Sequence, residues 1–461
     1  MQIPSFFRRL TGDSGSLRAR SIRASVITVG GIVTQRSLSL VSNLIMTRLL
    51  VPEAFGLMAM VVVVHILVTM LSDIGVHQSI IRSERGDQLY YLRAAWSVQI
   101  VRTTLITAVV AAAGLGIGVL GPRLAPPDSV YADPQLPWLI VVSSLAMLFK
   151  GCESAGVALA RRRLMLGKIT QIDIGNQIIV IILMVLLAQW KATVWVLLLG
   201  MMLGAFQRMI WTHIAFRDTP MRWVWDREIA ADLWQYGRWL IVSSLSTFVA
   251  NQGDRLILGA FLDKTTFGIY VIAALWIEAG MNLISMVGSQ IALAGFAEKL
   301  RTARDHFDQV FRKVMRAFAA LVLVTFLGGF FIGPLLIQAL YTPEYHAAGW
   351  MVSLLSFRFL CARTTPYAMF LLAEGQSRNV AFVSMISAAV MLVGLPLALT
   401  QFGVTAAITM IALAQIWATP LLIIGARRRM PNLPPFGQEL ALIAATVAAA
   451  VFVAATGLYG G

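Results

Sequence analysis

Apolar runs of about 20 residues or more, the length an α-helix needs to cross a bilayer, follow one another along nearly the whole chain. They fall near 24–49, 54–74, 92–120, 137–160, 170–189 and 193–215, then near 237–261, 267–291, 314–341, 349–372, 379–399 and 404–425, with one more at about 438–457. The weak alternation of an outer-membrane barrel is absent. The pattern therefore predicts an all-α polytopic membrane protein of thirteen helices.

The two sets of six are copies. Phe55-Gly56 recurs as Phe267-Gly268, Gly121-Pro122 as Gly333-Pro334 and Trp138 as Trp350, each 212 residues on and at the same point relative to an apolar helix. An even number of crossings per copy makes both enter the membrane from the same side, giving parallel repeats around an axis along the membrane normal, a plan shared by many alternating-access transporters. The expected organisation is a basic N-terminal segment (1–23), an N-lobe (24–216), an amphipathic connector helix (217–236), a C-lobe (237–429) and an extra transmembrane helix (430–461), with a central cavity between the lobes.

Positive charge sets the orientation, because short loops rich in Lys and Arg stay in the cytoplasm. Every second loop is basic: Arg8, Arg9, Arg18, Arg20 and Arg23; Arg82, Arg85 and Arg93; Arg161, Arg162, Arg163 and Lys168; Arg217, Arg222, Arg227 and Arg238; Lys299, Arg301, Arg304, Arg312 and Lys313; and Arg427, Arg428 and Arg429. The alternate loops hold only Arg48, Arg123, Lys191 and Lys264. The N-terminus is expected in the cytoplasm and, with an odd helix count, the C-terminus on the opposite side of the membrane. No cleavable signal peptide is read, since the first apolar segment has full span length and no small-residue cleavage site.

Composition agrees: 58% hydrophobic residues, 13% charged and a mean hydropathy of +0.77 describe a chain solvated by lipid. The net charge of +15 is then mostly topology, and no basic stretch is long enough or interleaved with aromatics enough to bind nucleic acid. Cys152 and Cys361 lie inside predicted helices, and the five histidines share no spacing, so neither metal nor cofactor is expected. The longest loop outside the cytoplasm, about 121–136, offers Asp128 and Asp133 in a Pro-rich connector, too little for a convergent catalytic set.

The chemistry lies in charge at depth, since an ionised side chain at mid-membrane costs roughly 2.5–3.5 kcal/mol on insertion scales. The candidates are Arg36, Arg102, Lys150, Glu153, Asp254, Arg255, Glu278, Arg358 and Arg363, six cations against three acids. Such an excess points to an electropositive, water-filled lumen for an anion. Gln35, Ser39 and Asn43 form a polar stripe on one face of the first helix, and the positions 212 further on are Thr247, Asn251 and Arg255. Matching faces imply a cavity lined by both copies. The cationic binding set is thus Arg36, Asn43, Arg102, Asn251, Arg255, Arg358 and Arg363. Glu153, Asp254 and Glu278 are candidates for coupling to a proton or sodium ion, because burial and nearby cations set a carboxylate's proton affinity. Arg208 and Asp173 are read as close enough to the cytoplasmic ends to snorkel.

The run Leu49-Leu50-Val51-Pro52-Glu53-Ala54-Phe55-Gly56 and the segment Leu71-Ser72-Asp73-Ile74-Gly75 resemble the junctions that flank the second helix of bacterial polysaccharide exporters and O-antigen flippases of the Wzx type, relatives of the multidrug-and-toxin extruders and lipid II flippases. The resemblance covers roughly residues 20–430. It implies a flippase that carries a polyprenyl-pyrophosphate-linked oligosaccharide from the cytoplasmic to the periplasmic leaflet by alternating access, with membrane lipids and other polysaccharide-assembly proteins as further partners. The thirteenth helix departs from the family's usual 12 or 14. Two alternatives stand beside this reading: an ion-coupled multidrug antiporter of the same superfamily, and a membrane-embedded polysaccharide polymerase or ligase. Excess cations argue against the first, and the absence of a large periplasmic loop argues against the second.

Overall fold

The structure, a computed structural model, describes residues 17–72, 75–163, 165–288, 307–416, 419–430 and 436–456, with a few positions between 289 and 306. Within them the first copy supplies α1 (Leu17–Leu49), α2 (Pro52–Ser72), α3 (Leu89–Leu124), α4 (Leu136–Gly151), α5 (Leu166–Trp190) and α6 (Val194–Ala215). The second supplies α7 (Arg227–Phe261), α8 (Lys264–Val287), α9 (Phe307–Leu327), α10 (Ala348–Cys361), α11 (Ser377–Leu413) and α12 (Thr419–Arg427), and α13 (Phe436–Thr456) follows. Among the described residues the only β pairing is an isolated bridge between Ser129 and Asp263.

The duplication reappears in the helix ends. Leu49 closes α1 and Phe261 closes α7; Leu136 opens α4 and Ala348 opens α10; Ala215 closes α6 and Arg427 closes α12, each pair separated by the sequence offset. Equivalent helices can begin by different means. α2 starts on Pro52, whose missing N–H is harmless at the first helical position. α8 starts behind Asp263, whose carboxylate accepts from the Thr266 N–H at 2.9 Å.

Several helices are interrupted, α9 and α11 where the sequence supplies a reason. α4 and the short helix Gly156–Arg162 form one bent unit with a 55° break. α9 passes through a π-helical turn at Gly328–Ile332 before Pro334, and α11 is broken at Gly403, whose φ of 81° suits glycine alone. Seven described helices are long and apolar enough to cross a membrane, or eight if the bent α4 pair counts as one span. Outside that count lie α1 and α7, which carry the polar stripes, the short α10 and α12, and α13.

One expectation is corrected. Residues 217–226 form no connector helix; they are turn and extended chain, and α7 begins at Arg227. Pro220 disfavours helical backbone at the residue before it. Asp226 then caps the new helix, accepting from the N–H groups of Glu228 at 2.9 Å and Ile229 at 3.1 Å. The extended segment is strapped along α3: Tyr90 donates to Asp226 at 2.9 Å, Arg93 donates to the Pro220 carbonyl at 3.0 Å, and the Val224 N–H donates to Ser97 at 2.9 Å.

The chain divides into two compact units. One comprises the residues up to Leu50 with Val64–Arg123 and Pro134–Val242; the other comprises Val51–Val63, Leu124–Asp133 and the chain from Ser243 on. The start of α2 belongs to the second unit because it packs on its own repeat equivalent. Thr265 donates to Glu53, the residue 212 positions earlier, at 2.6 Å. Lys264 pairs with Asp133 at 2.8 Å, and Tyr131 donates to the Leu256 carbonyl at 3.3 Å. The contact is backbone-close: a Cβ on Gly268 would stand 1.9 Å from the Pro52 carbonyl oxygen.

Candidate functional site

The first unit holds a polar cavity of about 630 Å³ bounded by α1, the end of α4, α5 and α6. Its formation starts at the α4 break. A helix that stops inside a membrane leaves carbonyls without partners, and these must be met by neighbours. Here the Gly151 carbonyl accepts from Gln99 at 3.2 Å, and the Cys152 carbonyl bonds to Trp96 and to His213 at 3.4 and 2.8 Å. The break puts Glu153 where a continuing helix would not.

Across from it stands Arg208 on α6. Its Nη1 bonds to Glu153 and its Nε to Asp173 of α5 at 2.9 Å, so one guanidinium bridges two acids. Gly204 and Gly200, one and two turns earlier on the same face of α6, line the cavity with it. This corrects the reading of Arg208 and Asp173 as snorkelling residues: both line the cavity, and each side chain is only 22% exposed. The spacing Gly200, Gly204, Arg208 was the available signal, a smooth helical face ending in a cation.

Two further cations line this cavity, Arg36 from α1 and Lys150 from α4. Among the described residues neither makes an ion pair. Gln35, Ser39, Asn176 and Gln177 supply neutral polar groups, with Gln177 donating to Ser39 at 2.8 Å and to the Gln35 carbonyl at 3.3 Å. Three cations face two acids, and the acids share one of the three.

The second unit holds a cavity of about 580 Å³ bounded by α7, α8, the end of α10 and α11. It is the same place in the other copy. Gln35, Ser39, Lys150 and Glu153 line the first cavity, and the residues 212 further on, Thr247, Asn251, Ala362 and Thr365, line the second. Its charged lining residues are Glu278 and Arg358. Behind Glu278 lies Arg255, which donates to it at 2.6 Å and to Gln252 at 2.7 Å. Asp254 is buried and accepts from Tyr270.

The residues of the expected cationic set take several places within their own units. Arg36 lines the first cavity, Asn251 and Arg358 the second. Arg363 lines a third, apolar cavity of about 400 Å³ beside Phe326, Phe330 and Phe357. Arg102 donates to Ser72 at 3.2 Å, and Asn43 is half-buried on α1; neither lines the cavity around Arg36. Of the coupling candidates, Glu153 is tied to Arg208, Glu278 to Arg255 and Asp254 to Tyr270.

Residues 45–350 match the profile of a family described as polysaccharide biosynthesis protein. The chain is 27% identical over 233 residues to the amylovoran biosynthesis protein AmsL of Erwinia amylovora, a match that takes in 49% of this chain and 58% of that relative, so it spans little more than half of the relative's length. Among solved structures, an inward-facing multidrug resistance MATE family transporter of the MOP superfamily matches with a TM-score of 0.62 at 11% identity, over 86% of this chain and 94% of that one. The eukaryotic MATE transporter AtDTX14 matches with a TM-score of 0.58 at 12% identity, over 94% and 99%. A MOP superfamily transporter from Pyrococcus furiosus matches with a TM-score of 0.57 at 14% identity, over 93% and 98%. At these identities the likeness is one of fold.

Proposed function

We propose that this chain, which belongs to the polysaccharide biosynthesis protein family, moves a polyprenyl-pyrophosphate-linked oligosaccharide from the cytoplasmic to the periplasmic leaflet of a bacterial inner membrane, and acts by transport rather than catalysis. The observation that carries the reading is the first cavity, where, among the described residues, Arg36 and Lys150 close no salt bridge and stand beside an Arg208 shared between two carboxylates. A guanidinium offers a planar fork that matches phosphate oxygens, and in a low-dielectric cavity that attraction is stronger than in water. A pyrophosphate entering there meets first the two cations that close no salt bridge, Arg36 and Lys150. Arg358 lines the cavity of the second copy, and with Asn43, Asn251, Arg102, Arg255 and Arg363 it belongs to the wider set around the cargo.

Proton or sodium entry at Glu153, Asp254 or Glu278 supplies the bias between states. Each acid already has a partner in this arrangement, so neutralising it changes which helices are held together. An ion that binds both arrangements equally moves nothing.

The test is translocation of a fluorescent polyprenyl-pyrophosphate oligosaccharide in vesicles containing the purified protein, scored by access of an external glycosidase. Protein-dependent turnover that Arg36→Ala with Lys150→Ala abolishes is the expected result. Turnover equal to wild type in that double variant overturns the anion site; no turnover by the wild type under any imposed ion gradient overturns the reading itself.

A further inference from the structure

The duplicated cavity has two chemistries. The five charged residues of the first, Arg36, Lys150, Glu153, Asp173 and Arg208, correspond 212 positions on to Phe248, Ala362, Thr365, Met385 and Pro420. In their place the second cavity is lined by hydroxyls and amides from every wall: Asn251 on α7, Asn282 on α8, Thr365 after α10, Ser387 on α11 and Gln415 before α12. Neither the Asn282 nor the Gln415 amide is used in a hydrogen bond among the described residues. Met281 and Met369 give the same space an apolar, adaptable side.

A carboxamide both donates and accepts at one end, and so pairs with neighbouring hydroxyls that do the same. A ligand that presents many hydroxyls, little charge and C–H faces between them is a neutral sugar. A pyrophosphate fits this wall poorly, since Glu278 opposes it and Arg358 is the one lining cation. A lipophilic drug fits it poorly as well, because it would leave the amides desolvated and unpaired. The volume lies within the range of about 300–1,000 Å³ usual for small-ligand sites.

We infer that the second cavity is a saccharide subsite that reads the uncharged sugars of the cargo through Asn251, Asn282 and Gln415, while the charged first cavity takes the acidic end. The inference rests on the transport reading above and assigns sugar specificity to the second copy.

The experiment compares two probes on the full-length protein in lipid nanodiscs: undecaprenyl pyrophosphate alone, and the same lipid bearing a neutral trisaccharide. The trisaccharide lipid is expected to bind more tightly to the wild type. Asn282→Ala with Gln415→Ala should remove that advantage, a loss of about ten-fold for two hydrogen bonds, and leave the affinity for the bare lipid within about two-fold. Asn282→Asp, which keeps size but removes the donor, provides a second variant if the alanine protein is not monodisperse, and should lose the same preference. Equal preference in wild type and variants overturns the saccharide subsite and leaves the transport reading standing. A wild type that binds neither lipid overturns both.

Discussion

In the first copy a guanidinium on α6 is held between carboxylates from the α4 break and from α5; in the second copy the equivalent of that arginine is Pro420, and the equivalents of its acids are Thr365 and Met385. The two cavities nevertheless sit at equivalent places in their helices, with lining residues in register. A duplicated backbone therefore dictates where a cavity forms and leaves its chemistry open. Charge in a membrane helix must be paired or solvated to be tolerated, so the first copy needs its acids as much as its cations. The second copy holds a pair at a neighbouring position, Arg255 with Glu278, and beyond Glu278 and Arg358 its cavity wall is uncharged.

The backbone half of this comparison is tested most severely where the copies touch. A Cβ on Gly268 would lie 1.9 Å from the Pro52 carbonyl oxygen, whereas a Cβ on Gly56, its repeat equivalent, would lie 3.1 Å from the Lys264 carbonyl oxygen. Backbone cannot retreat as a side-chain tip can. Gly268→Ala should cost upwards of about 3 kcal/mol and deplete folded protein in the membrane, against about 1 kcal/mol for Gly56→Ala. Fluorescence-detected size exclusion after a heating series reads both; equal losses would show that the junction is looser than drawn.

The chemical half turns first on Arg208. Arg208→Met leaves the carboxylates of Glu153 and Asp173 without their cation, with side chains only 12% and 22% exposed. Breaking a fully buried pair costs about 3–5 kcal/mol, and partial exposure lowers this to about 2–3. The triple variant Arg208→Met, Glu153→Gln and Asp173→Asn should recover most of the lost thermal stability, as no unpaired charge remains. A triple variant no better than the single one would mean that packing, not charge, holds this corner.

The offset of 212 located the helix ends to the residue in several pairs, because helix termini follow local signals that both copies retain, such as Leu49 with Phe261 and Leu136 with Ala348. The segment after the duplication also forms its helix, α13, close to the expected bounds. The connector is not legible in sequence, where aromatic residues among charges look amphipathic; a strap of hydrogen bonds from α3, over a hundred residues away, holds its first ten residues out of a helix. The site was legible in part. Charge at depth marked Arg36, Lys150 and Glu153, but the break in α4 that turns Glu153 toward Arg208 has no strong local sign. Partnerships between helices are set by packing, and a list of buried charges cannot say which of them meet.

A milder loss is expected in the second copy. Glu278→Gln removes the charge facing Arg255 but keeps an acceptor, and both Gln252 and the adjacent Asp254 remain. The expected cost is about 1–2 kcal/mol, below that of Arg208→Met. A larger loss than in the first copy would reverse the ranking of the two sites.

The smallest effect should come from writing the first copy's chemistry into the second. Ala362→Lys with Thr365→Glu places a cation and an acid three residues apart on the cavity wall, the spacing of Lys150 and Glu153. Such a pair contributes only about 0.2–0.5 kcal/mol on its own; Ala362 is buried, but both positions line the cavity, into which the longer side chains can extend, so thermal stability should change by less than about 1 kcal/mol. Ligand preference should move instead: the trisaccharide lipid loses ground to bare undecaprenyl pyrophosphate in nanodisc binding. If the double variant keeps its preference for the sugar, the neutrality of this wall is incidental to what it binds. If it loses preference and stability together, the second cavity was shaped by packing constraints that the first copy met with charge.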